Sequence, residues 1–332
     1  MLEKKKILFA VLNWGLGHAT RSWELIHKLS EEGNEVILAS DGVAKIFLEQ
    51  EFPELKVYGL PSYNIQYGKR SSIFAMLKNG VKTQIAVRKE KVWLREFLKK
   101  NKIDQIISDN RYGIYSGSIH SIIVTHQINI KTLFGSILVN AQNHKWLNNF
   151  NEIWVPDINS ELSGELSTPI PKKLASKVKQ IGWLSRFKQY KNNTTGNELI
   201  VAIVSGPEPQ KSILAETLKK ILSQLNTKSV LYLGSPEVDK REKIGNLIIK
   251  PHASTAEFGE DLAAAKVVVS RSGYSSLMDY KILNKKMVLI PTPGQDEQIY
   301  LGKHLSVNSG VTLISQKNLN FVNFKSAVID SY

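Results

Sequence analysis

Cysteine is absent from the 332 residues of this chain. Disulfides, thiolate nucleophiles and Cys-ligated zinc are therefore excluded, and a reducing compartment such as the cytoplasm is permitted. Long apolar runs are missing as well. None approaches the roughly 18–20 residues that a membrane-spanning helix needs, so any membrane contact is expected to be peripheral. The opening MLEKKKILFAVLNWG imitates a signal peptide, but its apolar stretch, Ile7 to Leu12, ends at Asn13 and reads as a first strand. Neither a D-x-D pair nor an H-E-x-x-H motif occurs, so no carboxylate-held divalent ion is indicated and no metal or other cofactor is expected. Negative charge is scarce, with 30 Asp and Glu against 44 Lys and Arg, a formal net charge of +14.

What is present is a pattern of short β-rich apolar runs alternating with helical periodicities, the signature of α/β domains with parallel sheets. The first half has runs at 7–12, 36–39, 105–108, 122–125 and 152–155; the second has them at 199–204, 230–233, 247–249, 267–269, 287–290 and 311–314. A polar, aperiodic stretch, RFKQYKNNTTGNE, lies between the halves. The expected organisation is a domain over 1–187, a linker over 188–198, a second domain over 199–315, and a C-terminal helix over 316–332 packing back on the first domain. The excess of positive charge is concentrated in 66–102, where eleven basic residues face two acidic ones among many apolar side chains. That composition suits basic amphipathic helices, either as a solvated face or as a docking surface for an anionic membrane.

NWGLGHATRS, residues 13–22, follows the first strand directly. Gly15 and Gly17 permit a sharp turn, and a helix starting near Ala19 would aim free N–H groups at the same spot as His18. A dinucleotide fingerprint is the competing reading, but Thr20 occupies its third glycine position. His18 is therefore read as a candidate base at the mouth of an anion-friendly pocket.

The Gly15-Leu16-Gly17-His18 element resembles that of two-domain GT-B glycosyltransferases related to the MurG N-acetylglucosaminyltransferase, family 28. AAAKVVVSRSGYSSLMDYKILNKKMVLIPTPGQDEQ, residues 263–298, is similar to that family's donor-binding block; VTHQIN (124–129) resembles its H-E-x-N segment, and GWLSR (182–186) the strand closing its first domain. The resemblance implies a GT-B fold, two Rossmann-like doubly wound domains facing across a cleft. It also implies donor contacts at Gly17, Ser205, Gly206, Ser272 and Gly273, with Arg186 as a charge partner of the diphosphate or, equally, in an interdomain salt bridge. Asp279 stands where the family's ribose-binding Glu does. Gln295, Asp296 and Gln298 would hold sugar hydroxyls, with Ile299 in place of a second consecutive glutamine. SGPEPQK (205–211) replaces a glycine-rich phosphate loop, and PHASTAEF (251–258) lies where the base would rest. On the acceptor side, Asp109 and Arg111 of ISDNRYG, with His126 and Asn129, leave catalysis, acceptor binding and structural capping unseparated.

The activity implied is metal-independent, inverting transfer of a sugar from a nucleotide-diphosphate donor, a UDP-sugar, to an acceptor hydroxyl, with His18 as base. The acceptor could be lipid-linked and the enzyme peripheral at the inner face of the membrane. Two rivals remain. UDP-sugar hydrolases or epimerases of the PseG type share G-x-G-H-x-x-R, satisfied by Gly15, Gly17, His18 and Arg21. A non-enzymatic basic membrane- or nucleic-acid-binding protein would fit the charge, but no nucleic-acid motif is present and no nucleic-acid partner is expected.

Overall fold

The computed structural model describes residues 4–63, 73–132, 135–191, 198–235 and 240–330. Lys69 and Arg70 of the basic segment, and residues 192–197 of the polar stretch between the halves, lie outside them. The chain divides into two compact units, Met1–Arg186 and Phe187–Tyr332.

In the first unit the order is β1 (Lys6–Val11), α1 (Gly17–Glu31), β2 (Glu35–Ser40), α2 (Gly42–Glu51), β3 (Val57–Gly59), α3 (Ile73–Lys100), β4 (Gln105–Asp109), β5 (His120–Val124), α4 (Ser136–Leu147), β6 (Glu152–Val155) and β7 (Val178–Gln180). The strands form one sheet in the order β3-β2-β1-β4-β5-β6-β7, parallel throughout. The apolar runs are continuous because both sheet faces are covered. Alternate residues of β1 serve opposite layers: Ile7, Phe9 and Val11 pack with Ala19 and Ile26 of α1 and Ala44 and Leu48 of α2, while Leu8 and Ala10 pack with Leu94 and Phe97 of α3. The chain winds outward from β1 through β2 to β3, then returns to place β4 on the other side of β1. That reversal opens a crevice at the carboxyl ends of β1 and β4, where open α/β sheets bind ligands.

The second unit runs β8 (Leu199–Ile203), α5 (Gln210–Leu222), β9 (Ser229–Tyr232), β10 (Glu242–Ile244), β11 (Leu247–Lys250), α6 (Thr255–Ala264), β12 (Ala265–Ser270), α7 (Tyr274–Ile282), β13 (Lys286–Leu289), α8 (Asp296–Leu305), β14 (Val311–Leu313) and α9 (Phe321–Asp330). Its sheet order is β10-β11-β9-β8-β12-β13-β14, parallel except for the β10–β11 hairpin. The reversal here falls between β8 and β12. Leu214, Leu218, Ile221 and Leu222 of α5 form the stripe expected from sequence and are buried against Ile200, Ala202 and Val269. Phe324, Ala327 and Val328 of α9 join this same second core.

Candidate active site

The turn after β1 places its left-handed residue at Gly15, φ +69°, a conformation that side chains resist. No neighbouring atom would obstruct a Cβ there, so backbone shape alone calls for the glycine. α1 begins at Gly17, two residues earlier than expected, and His18 therefore lies in its first turn, without a side-chain cap on the helix N-terminus. β4 ends beside it with Asp109. His18 Nδ1 and Asp109 Oδ1 are 2.7 Å apart, although 91 residues separate them in the chain. Asp109 is fully buried and held from several directions: Arg21 Nε donates to Oδ2 at 2.8 Å, Arg21 Nη2 donates to Oδ1, and Ser22 Oγ donates to Oδ2 at 2.8 Å. Burial alone would raise the Asp109 pKa, but the charges of Arg21 and His18 outweigh it and hold the carboxyl well below its usual range.

An ionised Asp109 only accepts hydrogen bonds, so the ring must donate from Nδ1, which leaves the lone pair on Nε2. The His18 side chain retains 13% exposure. Its pKa is lowered, first by desolvation and then by the Arg21 charge, with Asp109 opposing. A neutral, oriented imidazole is the form that can take a proton.

The other first-domain candidates separate clearly. Arg111 does not face an acceptor: it is fully buried, paired with Asp41 and with Glu90 at 3.1 Å, and donates to the carbonyls of Val11 and Pro61 at 3.0 Å each. Glu90 also accepts from Tyr63 Oη and from the Gly113 N–H, both at 2.9 Å, and Asp41 accepts from Ser62 Oγ at 2.6 Å and Asn13 Nδ2 at 3.3 Å. This second network ties the loops after β1, β2 and β4 to α3. Glu90 is nevertheless pushed up in pKa by burial. His126 is buried behind the site, its Nδ1 3.2 Å from Arg21 Nη1. Asn129 braces a loop, donating from Nδ2 to the carbonyls of Glu165 and Pro169 at 3.2 and 3.1 Å. Arg186 lies 5.3 Å over the Phe47 ring and 3.9 Å from Glu51, both on α2.

In the second unit, three neighbouring strand ends bring the donor-side candidates together. Ser205 and Gly206 are exposed after β8; Gly206 has φ +106°, and a Cβ on it would meet Thr292 Oγ1 at 3.4 Å. Here α5 starts only at Gln210, so Ser205 and Gly206 belong to a turn rather than to a helix N-terminus. Ser272 is buried just past the end of β12, and its hydroxyl donates to the Gln298 carbonyl at 2.6 Å. Gly273 stands at the start of α7 with no side-chain cap. Gln298 is bound within the loop: its Oε1 accepts the Thr292 N–H at 2.8 Å and its amide donates to Gln295 Oε1. Asp279 on α7 and Asp296 at the start of α8 remain half-exposed.

Arg271 was not singled out from sequence. Buried beside Ser272, it donates to the carbonyls of Ile290, Pro291 and Gln210, fastening the turn after β12 to the β13 loop and to the start of α5. A charged residue inside VVVSRSG, at the end of an apolar run, was the available signal. Burial lowers its pKa to about 10. Among the described residues no group of three or more His, Asp or Glu is arranged to hold a metal ion.

Each unit thus carries a candidate site where its strand order reverses. The whole chain has the fold of solved GT-B glycosyltransferases: the glycotransferase of kitacinnamycin aligns over 99% of this chain and 91% of its own, with a TM-score of 0.67 at 14% identity. MurG of Acinetobacter baumannii aligns over 99% and 94%, with a TM-score of 0.58 at 15% identity. The model of glycosyl transferase family 1 matches residues 5–327, and the chain belongs to that family. Among curated proteins it is 24% identical, over 92% of this chain and 84% of the relative, to the UDP-N-acetylglucosamine–N-acetylmuramyl-(pentapeptide) pyrophosphoryl-undecaprenol N-acetylglucosamine transferase of Clostridium perfringens.

Proposed function

We propose that this glycosyltransferase moves a sugar from a UDP-sugar to an acceptor hydroxyl with inversion at the anomeric carbon. The observation that carries the reading is His18, held by ionised Asp109 with its ring neutral and Nε2 free to take a proton. In the reaction, Nε2 accepts the hydroxyl proton as the oxygen forms a bond to the anomeric carbon. The bond from that carbon to the diphosphate breaks on the opposite side, and the electron pair leaves with UDP. The imidazolium that results is stabilised by Asp109 across Nδ1.

The donor falls to the second domain. Backbone N–H groups of Ser205, Gly206 and Gly273 are offered to the diphosphate, and Asp279 to the ribose hydroxyls. Gln295, Asp296 and Gln298, gathered on the loop after β13, are assigned to the sugar hydroxyls, and this division requires no metal. UDP is supported by the name of the clostridial relative, which also makes a polyprenyl-diphosphate-linked sugar the first acceptor to try. Peripheral attachment at the cytoplasmic face of a membrane would bring the enzyme to such an acceptor.

The test is turnover of UDP-N-acetylglucosamine and other UDP-sugars with and without a lipid-linked acceptor, read as UDP release, with the product anomer assigned by NMR. Acceptor-dependent release with an inverted product is expected. Free sugar released at full rate without acceptor would replace transfer by hydrolysis, and retention at the anomeric carbon would remove His18 from its role.

A further inference from the structure

A carboxylate alone against an imidazole creates a difficulty for a base. Its charge favours the imidazolium, and a ring that is already protonated cannot take a proton from an acceptor. The groups facing His18 show how this chain escapes that outcome. From β4 comes Asp109; from α1 come Arg21 and Ser22; from the loop after β5 comes His126; and Tyr112, buried close to Arg21, stays a neutral phenol because burial pushes its hydroxyl up. Arg21 is itself almost wholly buried and meets Asp109 as a two-pronged fork, through Nε and Nη2. The two Asp109 oxygens are shared among three side chains, so the carboxylate can neither rotate nor move toward the ring.

We propose that Arg21 is a positioning residue for the base, one that neutralises Asp109 so that the carboxylate fixes the orientation of His18 without holding it protonated. The inference deepens the reading of His18 as the base and rests on it. Its geometry accounts for both halves of the effect. The fork sets the direction of Oδ1, which fixes Nδ1–H and turns Nε2 outward. The guanidinium charge, always present, cancels the negative charge that Asp109 would otherwise impose on the ring. His126 packs behind the fork, its Nδ1 3.2 Å from Arg21 Nη1.

The experiment is an NMR titration of the His18 ring in the intact protein, its signal assigned by loss in His18→Gln, beside the pH profile of kcat/KM. The wild-type midpoint should lie below about 6.5. Arg21→Gln, similar in shape and uncharged, should raise the midpoint by about one unit or more. The acid limb of the activity profile should move up with it, so that the variant loses most at low pH and recovers as pH rises. Arg21→Lys keeps the charge and loses the fork; its midpoint should stay near that of the wild type while kcat falls across the whole range.

An unchanged midpoint in Arg21→Gln, or a rise in Arg21→Lys as large as in Arg21→Gln, would overturn the proposal. Should Arg21→Gln not fold, the other two readings decide: a wild-type midpoint above 6.5 is by itself fatal, and one below it with an unmoved Arg21→Lys midpoint sustains the idea. The titration needs no turnover. If the midpoints move as expected in a protein that transfers no sugar, the positioning role stands and the transferase reading fails.

Discussion

His18 and Asp109 behave in opposite ways as isolated groups, yet both lie below their ordinary pKa, His18 through burial and the Arg21 charge, Asp109 through its charged partners in spite of burial. For Asp109, folding favours the ionised form, so its stabilisation is complete above the unfolded value near about 4 and is lost as pH falls through the folded one. For His18, folding favours the neutral form, so its penalty begins when the unfolded ring takes a proton below about 6.5. Both make the protein weaken toward acid, in separate windows. The urea midpoint of the wild type should fall between pH 7 and 5.5, and His18→Gln should flatten that part of the curve; an unaltered slope would show that the ring is not buried as a neutral base. Under the proposed function, His18→Ala should cost about 10²–10⁴ in turnover while stabilisation by UDP in a thermal melt is kept. Loss of both would move His18 from catalysis to donor binding. The histidine itself was legible because a strand, a glycine turn and a helix deliver it within a few residues. Its partner's role was not, since Asp109 arrives along a different strand, and sequence could not separate it from Arg111, which is fully buried and bonds to Asp41, Glu90 and two carbonyls.

Elements buried on both faces were the readable ones. Each run expected as a central strand is present, because a parallel sheet covered on both sides demands unbroken apolar residues. β3, β7 and β10 went unread: each is three residues long and stands at a sheet edge, with none of its residues buried, whereas β14, equally short and at an edge, showed in sequence through the apolar run 311–314. The helix after β14 was readable as a helix but not in its docking, because an apolar stripe states that a partner exists and not which one. Phe324 is fully buried in the second core. Phe324→Ala should remove about 3–5 kcal/mol, and hydrogen exchange should locate the loss, with weaker protection of β8 and β12 and none of the change in β1 and β4. The converse pattern would return the helix to the first domain.

At the scale of the whole molecule the dominant quantity is charge. A net +14 is far more than solubility asks of a chain this size, and much of it lies on one helix. In the described part of α3, Val81, Ile85, Arg88, Val92, Arg95 and Lys99 follow one another at spacings of three and four and share a face. The three apolar members are 59%, 46% and 56% exposed, an unusual cost in water. No described helix is long and apolar enough to cross a bilayer; under the proposed peripheral attachment, this face is the surface that would lie on the membrane. Each basic side chain near an anionic leaflet contributes about 1 kcal/mol, and that attraction fades with salt. The intact protein should therefore float with vesicles containing anionic lipid, stay behind with zwitterionic ones, and be released as sodium chloride is raised. Ile85→Glu with Val92→Glu should reduce the bound fraction at low salt without moving the thermal midpoint by more than a degree or two, since neither side chain supports the core. Failure to float at low salt would leave the stripe a solvated face, and any lipid-linked acceptor would then have to reach the enzyme by another route.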